Sequence, residues 1–282
     1  MYIDTHTKKS MEKSICDYLG ITSDVLNGLF EYAGNEAQQG KYLDVDRLDR
    51  VFDDFIISNM PTTLIDEILF FHLSRRLNSA EGSVVTNNLF DLLSTKNEMT
   101  MFLEEHDVEF SVCSNHLEII YRGKKVSLED SYRDNIPYLR WRLGYNQERI
   151  DYCVNGFMLK DLLYRNSYTR ELYDVPEFIG ILATFLRRRD IGTDYFDNSK
   201  YYCFEYCLPL DKVLFDEEDK LSDNEKQKYL LNQILNRLYE YHTHDVTFMF
   251  DHENPIIRLI DSDTMGEKYD VTQEEITWDM LC

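Results

Sequence analysis

The run from Tyr201 to Asp216, YYCFEYCLPLDKVLFD, constrains the fold more than any other stretch of this chain. Aromatic residues favour a pleated, half-buried surface, so the run reads as a strand, and Pro209 breaks it because proline cannot donate to a ladder. Helical patterns flank it on both sides. Upstream, PEFIGILATFLRRR opens at Pro176 with Glu177 near the positive end of the helix dipole and three arginines near the negative end. Downstream, Ser222 and Glu225 have capping-box spacing ahead of a face made by Tyr229, Leu230, Ile234, Leu235, Leu238 and Tyr241. Strands and helices in irregular alternation predict the α+β class rather than a regular parallel α/β order.

Residues 1–62 predict a helical N-terminal appendage. Ser10 reads as an N-cap with Glu12 in the first turn, and Ile15, Leu19, Val25, Leu29 and Phe30 recur at turn-like intervals. Asp44 to Ile57 continues with an apolar stripe of Val45, Leu48, Val51, Phe52 and Phe55, and Pro61 marks the boundary. Residues 63–282 are then expected as a mixed, mostly antiparallel sheet domain. Its first segment, LIDEILFFHLSRRL (Leu64 to Leu77), fits a helix by its charges and a buried strand by ILFFHLS. Residues 88–103 read as helical. A meander follows over Val108–Val112, Leu117–Tyr121 and Lys125–Leu128, turning at Ser114-Asn115 and Arg122-Gly123. YCVNGFML at 152–159, PIIRLI from Pro255 and the closing EKYDVTQEEI supply short extended pieces.

Thirty Lys and Arg against 52 Asp and Glu leave a net charge of -22, which repels phosphate backbones and anionic membranes and disfavours bulk nucleic acid as a partner. No apolar run approaches the ~18 residues of a membrane span, and MYIDTHTKKSMEKS lacks the apolar core of a signal peptide. The expected location is cytoplasmic. The six cysteines form no CxxC pair and suggest neither a disulfide framework nor a zinc site, with Cys203 and Cys207 read as small hydrophobes on the aromatic strand. His242, His244 and His252, with Asp245 and Asp251, match no recognised ligand spacing, so no metal is expected. GxGxxG, P-loop, HExxH and GxSxG patterns are all absent.

Two local constellations carry candidate chemistry. Tyr132, Tyr138, Trp141 and Tyr145 read first as core or packing surface, while the interleaved Arg133, Arg140 and Arg142 make the best cationic patch for a phosphate-bearing ligand. Arg237 and His242 form an Arg-x4-His arrangement that resembles the HEPN ribonuclease motif, with Leu238 standing where that family has a polar residue. In such a motif the arginine steadies a phosphate and the histidine does acid–base work. The plainer reading is a helix end with a favourably placed histidine.

The order of short motifs is more informative. His72-Leu73-Ser74 is followed by Asn88-Leu89-Phe90-Asp91-Leu92-Leu93, then NGFMLKDLLYRNSY, PEFIGILATFL, the aromatic strand with its Leu-Pro-Leu turn, and a late glutamate, Glu267, in GEKYDVTQEEI. This order resembles the ADP-ribosyltransferase superfamily, in particular the branch related to DarT toxins, over roughly residues 65–282. The resemblance implies NAD as substrate and a fold of that type. His72 and Ser74 would hydrogen-bond the ribose or carboxamide, and Arg75 or Arg76 would meet the pyrophosphate. Tyr168 would stack on nicotinamide, with Tyr164 and Tyr173 as rivals, and Glu267 would stabilise the oxocarbenium-like sugar or orient the acceptor. The net charge favours a protein or small-molecule acceptor. The competing expectation is a noncatalytic acidic protein that inhibits a basic partner or mimics a nucleic-acid surface.

Overall fold

Short polar side chains start each of the first three helices. In the computed structural model, which describes residues 1–129, 135–146, 148, 150–216, 220–266, 268–269 and 271–282, α1 spans Lys8–Leu19, α2 Ser23–Ala37 and α3 Val45–Asn59. The cap of α1 is Thr7 rather than the expected Ser10: the Thr7 hydroxyl accepts from Ser10 N at 3.1 Å, and Ser10 Oγ returns a bond from Thr7 N at 3.0 Å. Thr22 and Asp44 cap α2 and α3 by accepting the amides of Val25 and Arg47, without the return bond. A two-residue hairpin, β1 (Gln38–Gln39) with β2 (Tyr42–Leu43), joins them.

Leu64 to Leu77 resolves as a strand, β3 (Glu67–Leu77). Ile68, Leu69, Phe70 and Phe71 are all buried, and a strand covered on both faces accommodates such a run where an amphipathic helix does not. The helical segment after it is broken in two, α4 (Leu89–Ser94) and α5 (Glu98–Glu105), because Asn97 restarts the helix with its own capping box. The meander is β4 (Val108–Cys113), β5 (His116–Tyr121) and β6 (Lys124–Lys125). Then come α6 (Ile136–Arg142), β7 (Asn155–Phe157), α7 (Ser167–Glu171) and α8 (Glu177–Leu186). The sequence reading overlooked α9 (Arg189–Asp197). β8 (Ser199–Pro209) ends at the expected proline and is followed by β9 (Leu214–Phe215), α10 (Asp223–Thr243), β10 (Ile256–Arg258) and β11 (Val271–Glu275).

The fold is α+β, and the chain divides into two compact units. One unit contains Met1–Phe71, Phe157–Ser167 and Cys207–Ile257. The N-terminal helices are part of this unit rather than standing alone, because α10 supplies the apolar face they bury against. Phe30, Phe52 and Tyr239 meet there as three near-perpendicular rings with centroids 5.9–6.1 Å apart. Gln227 of α10 is fully buried, and its side-chain oxygen accepts the Ile65 amide at 3.1 Å.

The other unit contains His72–Gly156, Tyr168–Tyr206 and Arg258–Cys282. Within it the strand order is β11–β8–β3, with β11 antiparallel to β8 and Val271 opposite Tyr206. The β4–β5–β6 meander is a separate antiparallel sheet, and the first turn places Ser114 at φ 56°. A core of Leu93, Leu103, Ile119, Leu139 and Leu182 fills the space between this meander and the helices α4, α5, α6 and α8. Among the described residues no helix is long and apolar enough to cross a membrane.

Candidate functional site

Alternation along β3 places His72, Ser74 and Arg76 on one face and Arg75 on the other. The two arginines consequently have opposite surroundings. Arg75 is buried at 7% exposure, and its guanidinium donates to Ser199 Oγ (2.9 Å), Ser199 O (2.8 Å), Phe196 O (3.1 Å) and Tyr173 O. The Phe196 and Tyr173 rings lie 4.2 and 5.4 Å from it. Of the two arginines expected as alternatives for a pyrophosphate, Arg75 has its donors engaged by the Ser199 hydroxyl and three backbone carbonyls, and it pins the start of β8 to β3.

Arg76 is different. Its guanidinium lies 4.8 Å over the Phe204 ring and donates to Thr86 Oγ1, Thr86 meets the Tyr206 hydroxyl at 3.0 Å, and Tyr206 donates to Val84 O at 2.7 Å. Thr86, Tyr206 and the Val84 carbonyl are all neutral. Arg76 Nε is buried without a hydrogen-bond partner, and among the described residues no carboxylate forms an ion pair with the group. Burial pulls its pKa below the usual arginine range, with the Tyr206 and Tyr195 phenols opposing.

Ser74, Arg75, Arg76 and Leu77 line a cavity of about 330 Å³ together with Val85, Asn87, Asn97, Met99 and Tyr195. The Tyr195 hydroxyl donates to Arg75 O at 3.0 Å, and burial pushes its pKa up to about 12. His72 precedes this cavity on the same face. Its Nδ1–H donates to Asn155 O at 2.7 Å, which leaves Nε2 as an acceptor. Burial first, and the charge of Arg76 second, lower its pKa to about 4, so the ring is neutral at physiological pH.

The expected tyrosines do not reach the cavity. Tyr168 stands 41% exposed on α7 and is absent from the cavity wall. Tyr164, in the other unit, receives Lys160 Nζ at 2.7 Å, and Tyr173 serves Arg75 and packs 5.3 Å from Trp278. Tyr195 is the tyrosine that lines the cavity, and it was missed because α9 carries none of the family's short motifs. Glu267 lies outside the described residues, as do Tyr132 and Arg133.

The other constellations prove to be largely structural. Arg140 donates to Leu128 O at 2.9 Å, and Arg142 pairs with Asp151. In the first unit Arg237, 3% exposed, pairs with Asp161 at 3.2 Å and Glu240 at 2.6 Å, while His242 lies exposed with its ring 5.5 Å from Phe30. Asp161 also accepts Tyr241 OH at 2.7 Å and the Lys8 amide at 3.2 Å, so the ion pair locks α10 to the start of α1. Cys203 is buried as expected and Cys207 half-buried.

Comparison with known proteins gives little beyond this. No family model matches the chain, and no solved structure matches it. A ribonuclease Z from Clostridium botulinum (strain Eklund 17B / Type B) is 29% identical over 122 residues, a match that covers 39% of this chain and 38% of that protein. The chain thus spans well under half the length of this relative.

Proposed function

We propose that the cavity beside β3 binds NAD through its pyrophosphate and that the protein transfers ADP-ribose from it to a protein or small-molecule acceptor. The observation that carries the reading is Arg76, a half-buried cation whose Nε is buried without a hydrogen-bond partner and which, among the described residues, pairs with no carboxylate. An uncompensated buried charge costs on the order of several kcal/mol, and a bound phosphate removes that cost with paired, charge-assisted hydrogen bonds. Ser74, Asn87 and Asn97 add neutral polar groups, while Leu77, Val85, Met99 and Tyr195 offer an apolar wall for a ring. The cavity, about 330 Å³, is at the low end of the ~300–1,000 Å³ typical of ligand pockets and suits one half of a dinucleotide.

The chemistry asked of the site is modest. Nicotinamide leaves through a sugar that gains positive charge, which a carboxylate stabilises, and the resemblance assigns that role to Glu267. His72, neutral with Nε2 unprotonated, accepts a hydrogen bond from a ribose hydroxyl or from the carboxamide NH2. Calorimetry with NAD tests the reading. Saturable binding that weakens at least about tenfold in Arg76→Gln, or ~1.4 kcal/mol, is the expected result, together with Glu267→Gln protein that binds NAD yet releases no nicotinamide. Equal affinity in Arg76→Gln refutes it.

A second reading rests on the partial match to a ribonuclease Z, which favours an RNA phosphodiester as the anion facing Arg76. The same titration with a short RNA separates the two. Binding of RNA but not NAD selects the second, and binding of neither selects a noncatalytic partner-binding role.

A further inference from the structure

Among the described residues three groups of potential metal ligands bring their donor atoms within 4.8 Å of one another: Cys113, His116 and Glu118; His106, Asp190 and Asp194; and Asp151, Cys153 and Asp261. In two of these an arginine holds one of the carboxylates. His106 uses Nδ1 on Phe102 O and Nε2 on Asp194, while Asp190 is held by Arg188. Asp151 is held by Arg142, and burial beside that carboxylate pushes the Cys153 thiol up to about 12, away from the thiolate a metal needs.

The third group is built by the hairpin itself. Cys113 ends β4 and His116 starts β5, and they are direct cross-strand partners across the Ser114-Asn115 turn. Cross-strand partners share a face, and Glu118, two residues beyond His116, shares it too. The Cys113 thiol donates to Glu118, His116 Nε2 stands 3.6 Å from Glu118 Oε1, and the Tyr145 ring packs 4.3 Å from the imidazole and holds it in place. His116 and Glu118 are 23% and 14% exposed, so the group is accessible without being fully solvated.

We propose that the turn of the β4–β5 hairpin binds a zinc-class transition-metal dication through Cys113 Sγ, His116 Nε2 and Glu118, with a fourth position open to water or a ligand. The mixed S, N, O donor set suits zinc or cobalt and excludes calcium and magnesium, which require oxygen ligands. With bond lengths of about 2.0–2.3 Å, tetrahedral ligands stand roughly 3.5 Å apart, so donors now within 4.8 Å of one another close by at most about 1.3 Å. Binding releases the Cys113 thiol proton to solvent; thiolate and carboxylate then neutralise the dication. Lys125, 2.5 Å from Glu118 Oε1, stays as a partner of the carboxylate and orients it.

The test uses the full chain, reduced and metal-free, titrated with Zn²⁺ and separately with Co²⁺. One equivalent of Zn²⁺ is expected to bind at micromolar concentration, with affinity falling at least about tenfold in Cys113→Ser and in His116→Gln. Co²⁺ should give a thiolate-to-metal charge-transfer band that disappears in Cys113→Ser and persists in Cys153→Ser. Circular dichroism establishes that each variant is folded, and His116→Gln keeps the test decisive should Cys113→Ser not fold. Absence of Zn²⁺ binding in folded wild type overturns the proposal, as does a band that follows Cys153 or an affinity indifferent to both hairpin substitutions.

Discussion

Arg75 and Arg76 are consecutive residues of one strand, and the guanidinium of the first is held by backbone carbonyls while that of the second faces a cavity with Nε unpaired. The period of two along a strand produces this division, since one residue's shift in register exchanges the two faces. Adjacent arginines read from sequence look interchangeable as phosphate ligands. In the fold one of them is a structural pin, and the other is the cation to which the proposed function gives the anion.

The division predicts unequal stabilities. Arg75→Met strands the carbonyls of Tyr173, Phe196 and Ser199, each costing about 1 kcal/mol or more, for a loss of about 3 kcal/mol in urea unfolding. Arg76→Met removes a half-buried charge that pairs with no carboxylate among the described residues, so ligand-free protein changes by less than about 1 kcal/mol or gains stability. Equal losses at the two positions would contradict the assignment.

Arg237 allows a second separation of structural from chemical roles. Its pairing with Asp161 is buried, with the half-exposed Glu240 at its edge, and truncation leaves Asp161 without its counter-ion, so Arg237→Ala is expected to cost about 3–5 kcal/mol. Asp161→Ala should cost a similar amount, and the double variant clearly less than the sum, because both substitutions remove one interaction. An Arg237→Ala protein of wild-type stability would instead indicate a side chain held in reserve for a phosphate.

Much of the fold was legible because local rules agreed with each other. Ser222 and Glu225 cap α10 as their spacing predicts, Pro209 ends β8, and the turns at Ser114-Asn115 and Arg122-Gly123 define the meander. Where local signals conflicted, tertiary context decided: Phe70 and Phe71 are buried on a strand, although the flanking charges also suit a helix dipole. The candidate site was legible in part. His72, Ser74 and Arg76 share a face, but the contribution of Tyr195 from α9 is nonlocal, and no spacing in the chain announces it. The grouping of Cys113, His116 and Glu118 was hidden for another reason, since it depends on hairpin register rather than on a familiar cysteine pattern.

The end of α6 offers a backbone prediction. Gly144 sits at φ 79°, its amide donating to Trp141 O at 3.1 Å and that of Tyr145 to Arg140 O at 2.9 Å, which is the Schellman pattern. A Cβ there would collide with the Tyr152 hydroxyl and come within 3.0 Å of Asn115 O. Gly20, at φ 66° after α1, has nothing within 4 Å of the same position. Gly20→Ala should therefore cost about 1 kcal/mol from backbone strain alone, and Gly144→Ala at least twice as much, read from chemical denaturation of both variants.

His72 makes stability depend on pH in a defined direction. Its pKa is about 4 in the folded chain and near the ordinary 6.5 when unfolded. Between those values the unfolded state binds more protons, so stability rises with pH through this window and is lost as pH falls from 6.5 towards 4. Allowing for the ring's partial contact with water, the contribution is on the order of 2 kcal/mol. His72→Asn removes the titration while the surrounding carboxylates keep theirs. The difference in unfolding free energy between wild type and His72→Asn should therefore shift by about 2 kcal/mol between pH 7 and pH 4, in the sense that wild type loses more on acidification. Parallel curves for the two proteins over that range would show that the imidazole is hydrated and free to protonate in the folded state.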